Sequence, residues 1–316
     1  MSSIASNDSR SAPLSAAPLG WSRLPAEYAI PEGAPSEAEA REYCRRLARS
    51  HYENFSVATW FLPERLRQHF FNIYAYCRIS DDLADEVGDP DASLQLLDEW
   101  QAELDACYAG SPRHPVFVAL AETVRKFDIP RQPFADLLKA FRQDQTVNRY
   151  ETFEDLLGYC RYSADPVGHL VLYLCGYRDA ERQALSNFTC TALQLANFWQ
   201  DVSVDYSKGR IYLPLEDMRR HKVNEEDIAA ARNTPVFCDM MRFEVERARD
   251  WFKRGWPLAG QVDRELAVDI ELFSRGGQGI LNAIARQGHA VLGRRPAISK
   301  VRKLALVARA VLGKLL

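Results

Sequence analysis

The chain has 316 residues, a hydrophobic fraction of 47% and a formal net charge of −3. That is enough apolar material for one large domain with a sizeable core, and it leaves no global basic field to attract nucleic acid. Seven scattered cysteines without a C-x-x-C pair argue against a disulfide framework or zinc site and for a reducing cytosol. No G-x-G-x-x-G or G-x-x-x-x-G-K-[ST] supports a nucleotide fold, and no apolar run approaches a membrane span.

In chain order, residues 1–35 are rich in Ser, Ala and Pro without a continuous apolar stretch, which predicts a disordered tail rather than a signal peptide. Ser36 suits a helix cap, and Glu37 and Glu39 suit the positive end of a helix running to about Ala48. After the polar-aromatic stretch 50–59, Pro63 fits the first turn of a helix ending near Glu86, before Gly88-Asp-Pro90. Leu94, Leu97, Trp100, Leu104 and Tyr108 recur at helical spacing between Asp91 and Tyr108. Further helices are expected over Val116 to Phe127 and Pro133 to Val147. A long one over Phe153 to Tyr177 should kink at Asp165-Pro166. The helix from Arg182 to about Asp205 is followed by the cationic loop Tyr206 to Pro214. Helices over Ala229 to Arg232, Val236 to Trp256 and Arg264 to Leu292 complete the series, the last interrupted at Gly276-Gly277. No segment shows sustained β alternation, so the fold class is all-α: one domain over residues 36–293, followed by a basic amphipathic helix over 294–316. Residues 297–316 alternate cations with apolar residues and contain no acid. Two readings stand for this stretch, an anionic membrane surface or docking on the core.

Two stretches organise the chain. Asp81 and Asp85 stand four residues apart in Ile79-Ser-Asp-Asp-Leu-Ala-Asp-Glu86; Asp201 and Asp205 do the same, with Asn197 one turn earlier. On a helix each row lies on one face, its members about 6 Å apart along the axis. Like charges at this spacing weaken a helix by a few tenths of a kcal/mol, and acids within apolar and aromatic segments are costly unless paired or metal-bound. A solvated face is the commoner explanation of one such pair. Two pairs, each in a segment that reads as core, favour facing acidic rows holding Mg²⁺ on a diphosphate.

These residues resemble the squalene/phytoene synthases, head-to-head prenyl transferases with the class I isoprenoid (terpenoid) synthase fold. The resemblance spans roughly Arg41 to Arg275. It rests on Ile73-Tyr-Ala-Tyr-Cys-Arg-Ile-Ser-Asp-Asp-Leu-Ala-Asp85, Gln194-Leu-Ala-Asn-Phe-Trp-Gln-Asp-Val-Ser-Val-Asp205 and Lys208-Gly-Arg-Ile-Tyr-Leu-Pro214. It implies that Asp81, Asp85, Asn197, Asp201 and Asp205 hold a Mg²⁺ cluster and that Arg78, Lys208 and Arg210 meet diphosphate oxygens. It further implies that Phe55, Tyr74, Tyr159 and Gln194 line the reacting end of the pocket, with His51 and Tyr212 as further substrate contacts. His51-Tyr-Glu-Asn-Phe55 carries Tyr52 and Asn54 where many members have serines, and Ser163-Ala-Asp-Pro-Val-Gly168 replaces a common Val-Ala-Gly segment. Both departures are similar to the bacterial hydroxysqualene synthases of the hopanoid pathway. That resemblance implies ionisation of presqualene diphosphate and capture of the rearranged cation by water, with Asp165 or Tyr159 positioning the water. The cysteine pattern implies a cytoplasmic protein, and the basic last helix offers a route to peripheral contact at the inner membrane. The alternatives are a synthase condensing two farnesyl or two geranylgeranyl diphosphates, and an inactive relative serving as an assembly factor. The latter would be free to lose the acids that this chain keeps.

Overall fold

A computed structural model describes residues 21–50 and 64–299, together with Ala305 and Ala308. Among these residues there are twelve α-helices and no strand. They are α1 (Glu37–Ser50), α2 (Glu64–Asp85), α3 (Pro90–Ala109), α4 (Pro115–Phe127), α5 (Gln132–Gln143) and α6 (Phe153–Ser163). The series continues with α7 (Asp165–Leu174), α8 (Ala180–Ser207), α9 (Leu215–Arg220), α10 (Glu225–Ala229), α11 (Pro235–Gly255) and α12 (Arg264–Arg286).

Local chemistry sets the ends. The Asp89 carboxylate accepts from the Asp91 and Ala92 amides ahead of Pro90, and α3 stops at Gly110 in the left-handed region. A reciprocal Thr152–Asp155 capping box opens α6. Asp179, Thr234 and Asp263 cap α8, α11 and α12 one way, accepting from the Arg182, Phe237 and Leu266 amides. Helix α8 is central, packing against α11, α12 and α7. One apolar core gathers around α2 to α5, with Tyr76, Trp100, Phe117 and Phe134 fully buried. A second gathers α8, α11 and the residues between them around Trp199, Phe237 and Phe252. A small third cluster joins Leu172, Leu258, Leu266 and Ile270.

Several sequence expectations are corrected. Order begins before residue 35. Two 3₁₀ turns, Trp21–Arg23 and Ala26–Tyr28, bury Trp21, Leu24 and Tyr28. They are fastened by hydrogen bonds from Trp21 Nε1 to Glu99 (2.8 Å) and from Tyr28 Oη to Asp82 (2.8 Å). The kink at Asp165-Pro166 is a full break at Ala164 between α6 and α7. Helix α9 was not foreseen, and the short helix expected at Ala229 to Arg232 lies earlier, as α10. Gly276-Gly277 does not interrupt α12. A Cβ on Gly277 would stand 2.3 Å from Phe252 Cζ and 2.9 Å from Leu193 Cδ2, so this glycine is a packing notch rather than a breaker. Helix α12 ends at Arg286 instead of Leu292, and residues 294–299 are not helical. Ala305 and Ala308 are helical, and the rest of the expected terminal helix lies outside the described residues. No helix among the described residues is long and apolar enough to cross a membrane.

Candidate active site between two acidic rows

Helix α2 presents its acids because its opposite face is locked. Ile79 and Leu83 are fully buried, the Tyr76 hydroxyl donates to the Phe134 carbonyl (2.7 Å), and Trp100 Nε1 donates to the Ser80 hydroxyl (2.9 Å). Asp81 and Asp85 are then left on the partly exposed side. On α8, Trp199 and Val202 point inward, while Asp201 and Asp205 are half-buried and Asn197 is exposed.

The loop after α8 bridges the rows. Gly209, at φ 80°, allows the turn, and the Arg210 amide closes it on the Asp205 carbonyl (2.9 Å). Lys208 Nζ then donates to Asp85 at 3.1 Å and Arg210 Nη2 at 2.8 Å. The Arg210 and Asp85 side chains are 17% and 18% exposed against 49% for Lys208, so Arg210 is the less screened clamp. Burial alone would raise Asp85, but these two cations hold its carboxyl below the usual carboxylate range.

Asp81 and Asp205 each feel a neighbouring acid. Burial, and then the charge of Asp85, pushes Asp81 up to about 6. Burial, and then the charge of Asp201, pushes Asp205 up to about 7, with Asp85 across the cleft adding to the rise. Asp201 accepts from Arg295, whose Nη2 lies 2.9 Å from Oδ2. Asp81 and Asp205, both raised in proton affinity, and the all-oxygen donor set of the two rows fit a hard divalent cation. Among the described residues no three acidic, histidine or cysteine groups converge tightly enough to chelate one ion unaided. Mg²⁺ takes one or two carboxylates plus water and phosphate oxygens.

Arg78, expected to meet diphosphate, borders the first row. Its guanidinium holds the buried Asp82 (Nε to Oδ2, 3.0 Å) and lies 3.8 Å from Asp81. Tyr212 is buried and stacked on Phe198, their ring centroids 3.9 Å apart, with Tyr159 5.8 Å away. The Tyr159 hydroxyl donates to Asp144 (2.9 Å). Asp144 had no motif to mark it. Burial pushes it up to about 7, Arg210 and Tyr159 offset part of that rise, and Asp85 and Asp81 add to it. It therefore belongs to the same electrostatic unit. Gln145, which donates to the Ala84 carbonyl (3.1 Å), fastens this stretch to α2. A polar residue just past α5, preceding a bend that carries Tyr150, was the available signal.

Below the acids lies an apolar cavity of about 280 Å³. Its walls include Ile73, Tyr74 and Cys77 on α2, Gly168 on α7, and Cys190 and Leu193 on α8. Cys77 and Leu193, two of its wall residues, each sit one helical turn before a residue of an acidic row. Gln194 is half-buried beside Leu193. Asp165 does not line the cavity. It is buried in the α7–α8 contact, where it accepts from Thr191 (3.0 Å). His51 and Phe55 lie outside the described residues.

Residues 48–302 match the family model described as squalene/phytoene synthase. A 15-cis-phytoene synthase from Synechocystis sp. is 30% identical over 294 residues, 89% of this chain and 87% of the relative. Two solved structures are similar. The squalene synthase HpnC from Alicyclobacillus acidocaldarius has 44% identity and a TM-score of 0.76 over 85% of this chain and 98% of that one. A dehydrosqualene synthase in complex with a ligand has 26% identity and a TM-score of 0.79 over 87% and 96%. With its helical fold and paired acidic rows, the chain belongs to the squalene/phytoene synthase family, whose enzymes act on prenyl diphosphates.

Proposed function

We propose that this enzyme is a hydroxysqualene synthase that ionises presqualene diphosphate and lets water capture the rearranged cation. The observation that carries the reading is the 44% identity to the squalene synthase HpnC, against 30% to the phytoene synthase and 26% to the dehydrosqualene synthase. The departures at Tyr52, Asn54 and Ser163 to Pro166 support it independently. In this reading the C–O bond to diphosphate breaks and its electron pair leaves with the diphosphate. Water adds to the cation and loses a proton. Asp81, Asp85, Asn197, Asp201 and Asp205 would hold Mg²⁺, which neutralises charge on the leaving oxygens. Arg210 and Lys208 set the orientation of Asp85. The apolar cavity takes the isoprenoid chains and excludes bulk water from the cation. Tyr212, Phe198 and Tyr159 form a buried aromatic cluster joined to the charged cleft through the Tyr159–Asp144 hydrogen bond. Of the two candidates for positioning water, Tyr159 is favoured: its hydroxyl reaches Asp144 within the charged cleft, whereas Asp165 is tied to Thr191.

The test is incubation of pure protein with Mg²⁺ and presqualene, farnesyl or geranylgeranyl diphosphate separately, followed by product analysis. Conversion of presqualene diphosphate to hydroxysqualene without a reduced nicotinamide is expected. Consumption of farnesyl or geranylgeranyl diphosphate with no turnover of presqualene diphosphate would replace this reading with a condensing synthase. The same reading places the protein in the cytoplasm, with its basic, apolar C-terminal stretch against anionic lipid. Sedimentation with phosphatidylserine vesicles, lost on deleting residues 300–316, tests that contact.

A further inference from the structure

The segment after α12 is built against the second acidic row. Gly288 and Gly293 take positive φ (64° and 78°) and fold the chain back. Val291 and Leu292 are buried, and the Asn233 side chain exchanges two hydrogen bonds with the Leu292 backbone (2.9 and 3.0 Å). The Gly293 amide donates to Ser203 (3.3 Å) and Gln200 donates to the Pro296 carbonyl, both from α8. Ile298 packs where a Cβ on Gly279 would come within 2.9 Å. Arg295 therefore sits on a strap pinned to α8 on either side of it. Its guanidinium reaches both oxygens of Asp201 and also Gln200 Oε1 (3.3 Å).

We propose that Arg295 is a resident counter-ion of the second row that competes with the divalent cation for Asp201, so that metal loading is coupled to the strap over residues 287–298. The inference rests on the metal-site reading above. A bidentate guanidinium uses the two oxygens that an incoming ion needs, and its positive charge opposes that ion even where a lone pair remains free. The opposite role is orientation, in which Arg295 holds Asp201 in a ligating rotamer as outer-shell partners do. The two roles predict opposite signs when the cation is removed.

The experiment measures Mn²⁺ affinity by electron paramagnetic resonance on the full chain without substrate, for wild type, Arg295→Gln and Arg295→Lys. Arg295→Gln is expected to bind Mn²⁺ roughly three- to ten-fold more tightly, the scale of one elementary charge beside a partly exposed carboxylate. Arg295→Lys should stay near wild type, because the charge is kept. Adding Asp201→Asn to Arg295→Gln should erase the gain. Hydrogen exchange at the Leu292 and Gly293 amides of wild type should rise when Mn²⁺ is added. Equal or weaker binding by Arg295→Gln, while wild-type binding still depends on Asp201, overturns the competition and leaves the metal site standing. Absence of Mn²⁺ binding in every variant, even with inorganic pyrophosphate present, overturns the metal-site reading and the competition with it.

Discussion

The two acidic rows share one spacing and are supported differently. In α2 the residue after the first acid is Asp82, buried and held by Arg78 and Tyr28; in α8 the same place is taken by buried Val202. The first row is thereby tied through a polar network to the N-terminal turns, and the second is seated on a buried apolar side chain, its polar ties running instead to the strap after α12. Their cations differ too. Asp85 is clamped by Lys208 and Arg210, which follow the second motif directly, whereas Asp201 is matched by Arg295, ninety-four residues away. An i,i+4 acidic pair thus fixes which face carries charge. What buttresses that face and what balances it are decided by separate parts of the chain.

Several substitutions would break or sharpen this contrast. The largest effect is expected where the rows act together: Asp81→Asn or Asp205→Asn should each lower turnover on the order of 10²–10³-fold, read from steady-state kinetics with saturating Mg²⁺. If one row tolerates its substitution, the rows are not equivalent parts of one site. Asp82→Ala should instead act on stability, by about 3 kcal/mol in urea unfolding, because Arg78 and the Tyr28 hydroxyl lose a buried partner. Val202→Ala, its counterpart on α8, should cost only about 1–2 kcal/mol, a transfer and small-cavity loss. Equal costs would remove the distinction between polar and apolar support. Asp144→Asn should lower turnover by about ten-fold with a smaller change in KM, as expected of a group that acts within the charged cleft. An unchanged rate would take Asp144 out of the site.

A last contrast appears only against pH and concerns Asp165, whose carboxyl burial pushes up to about 7 from an ordinary value near 4. The folded protein then holds a proton that the unfolded chain has lost. The stabilisation is complete below pH ~4 and is lost as pH rises to about 7, by at most about 1.4 kcal/mol per pH unit. Asp165→Asn should flatten unfolding free energy against pH across that window. A slope identical to wild type would show that Asp165 is ionised in the fold throughout.

Most helices were legible because breakers stand where helices end, as at Gly88-Asp-Pro90 and Gly110-Ser-Pro112. The all-α class and the two rows were legible for the same local reason: helical spacing reports which residues share a face. What was hidden depends on contacts distant in sequence. Trp21 and Tyr28 sit in a Ser-, Ala- and Pro-rich stretch that reads as a tail until Glu99 and Asp82 are brought to them. Gly277 looks like a breaker until Phe252 and Leu193 fill the space that its missing side chain leaves. Helix α9 is six residues long, too short for periodicity to register. Asp144 and Arg295 have no local pattern, and only the packing of α2 and α8 gives them neighbours.

The most direct check of the shared site is a crystal grown with Mn²⁺ and inorganic pyrophosphate, with anomalous scattering used to locate the metal. Anomalous peaks between α2 and α8, within bonding distance of Asp81 or Asp85 and of Asp201 or Asp205, are the predicted result. Peaks confined to one row or to the outer surface, with pyrophosphate bound elsewhere, would contradict it.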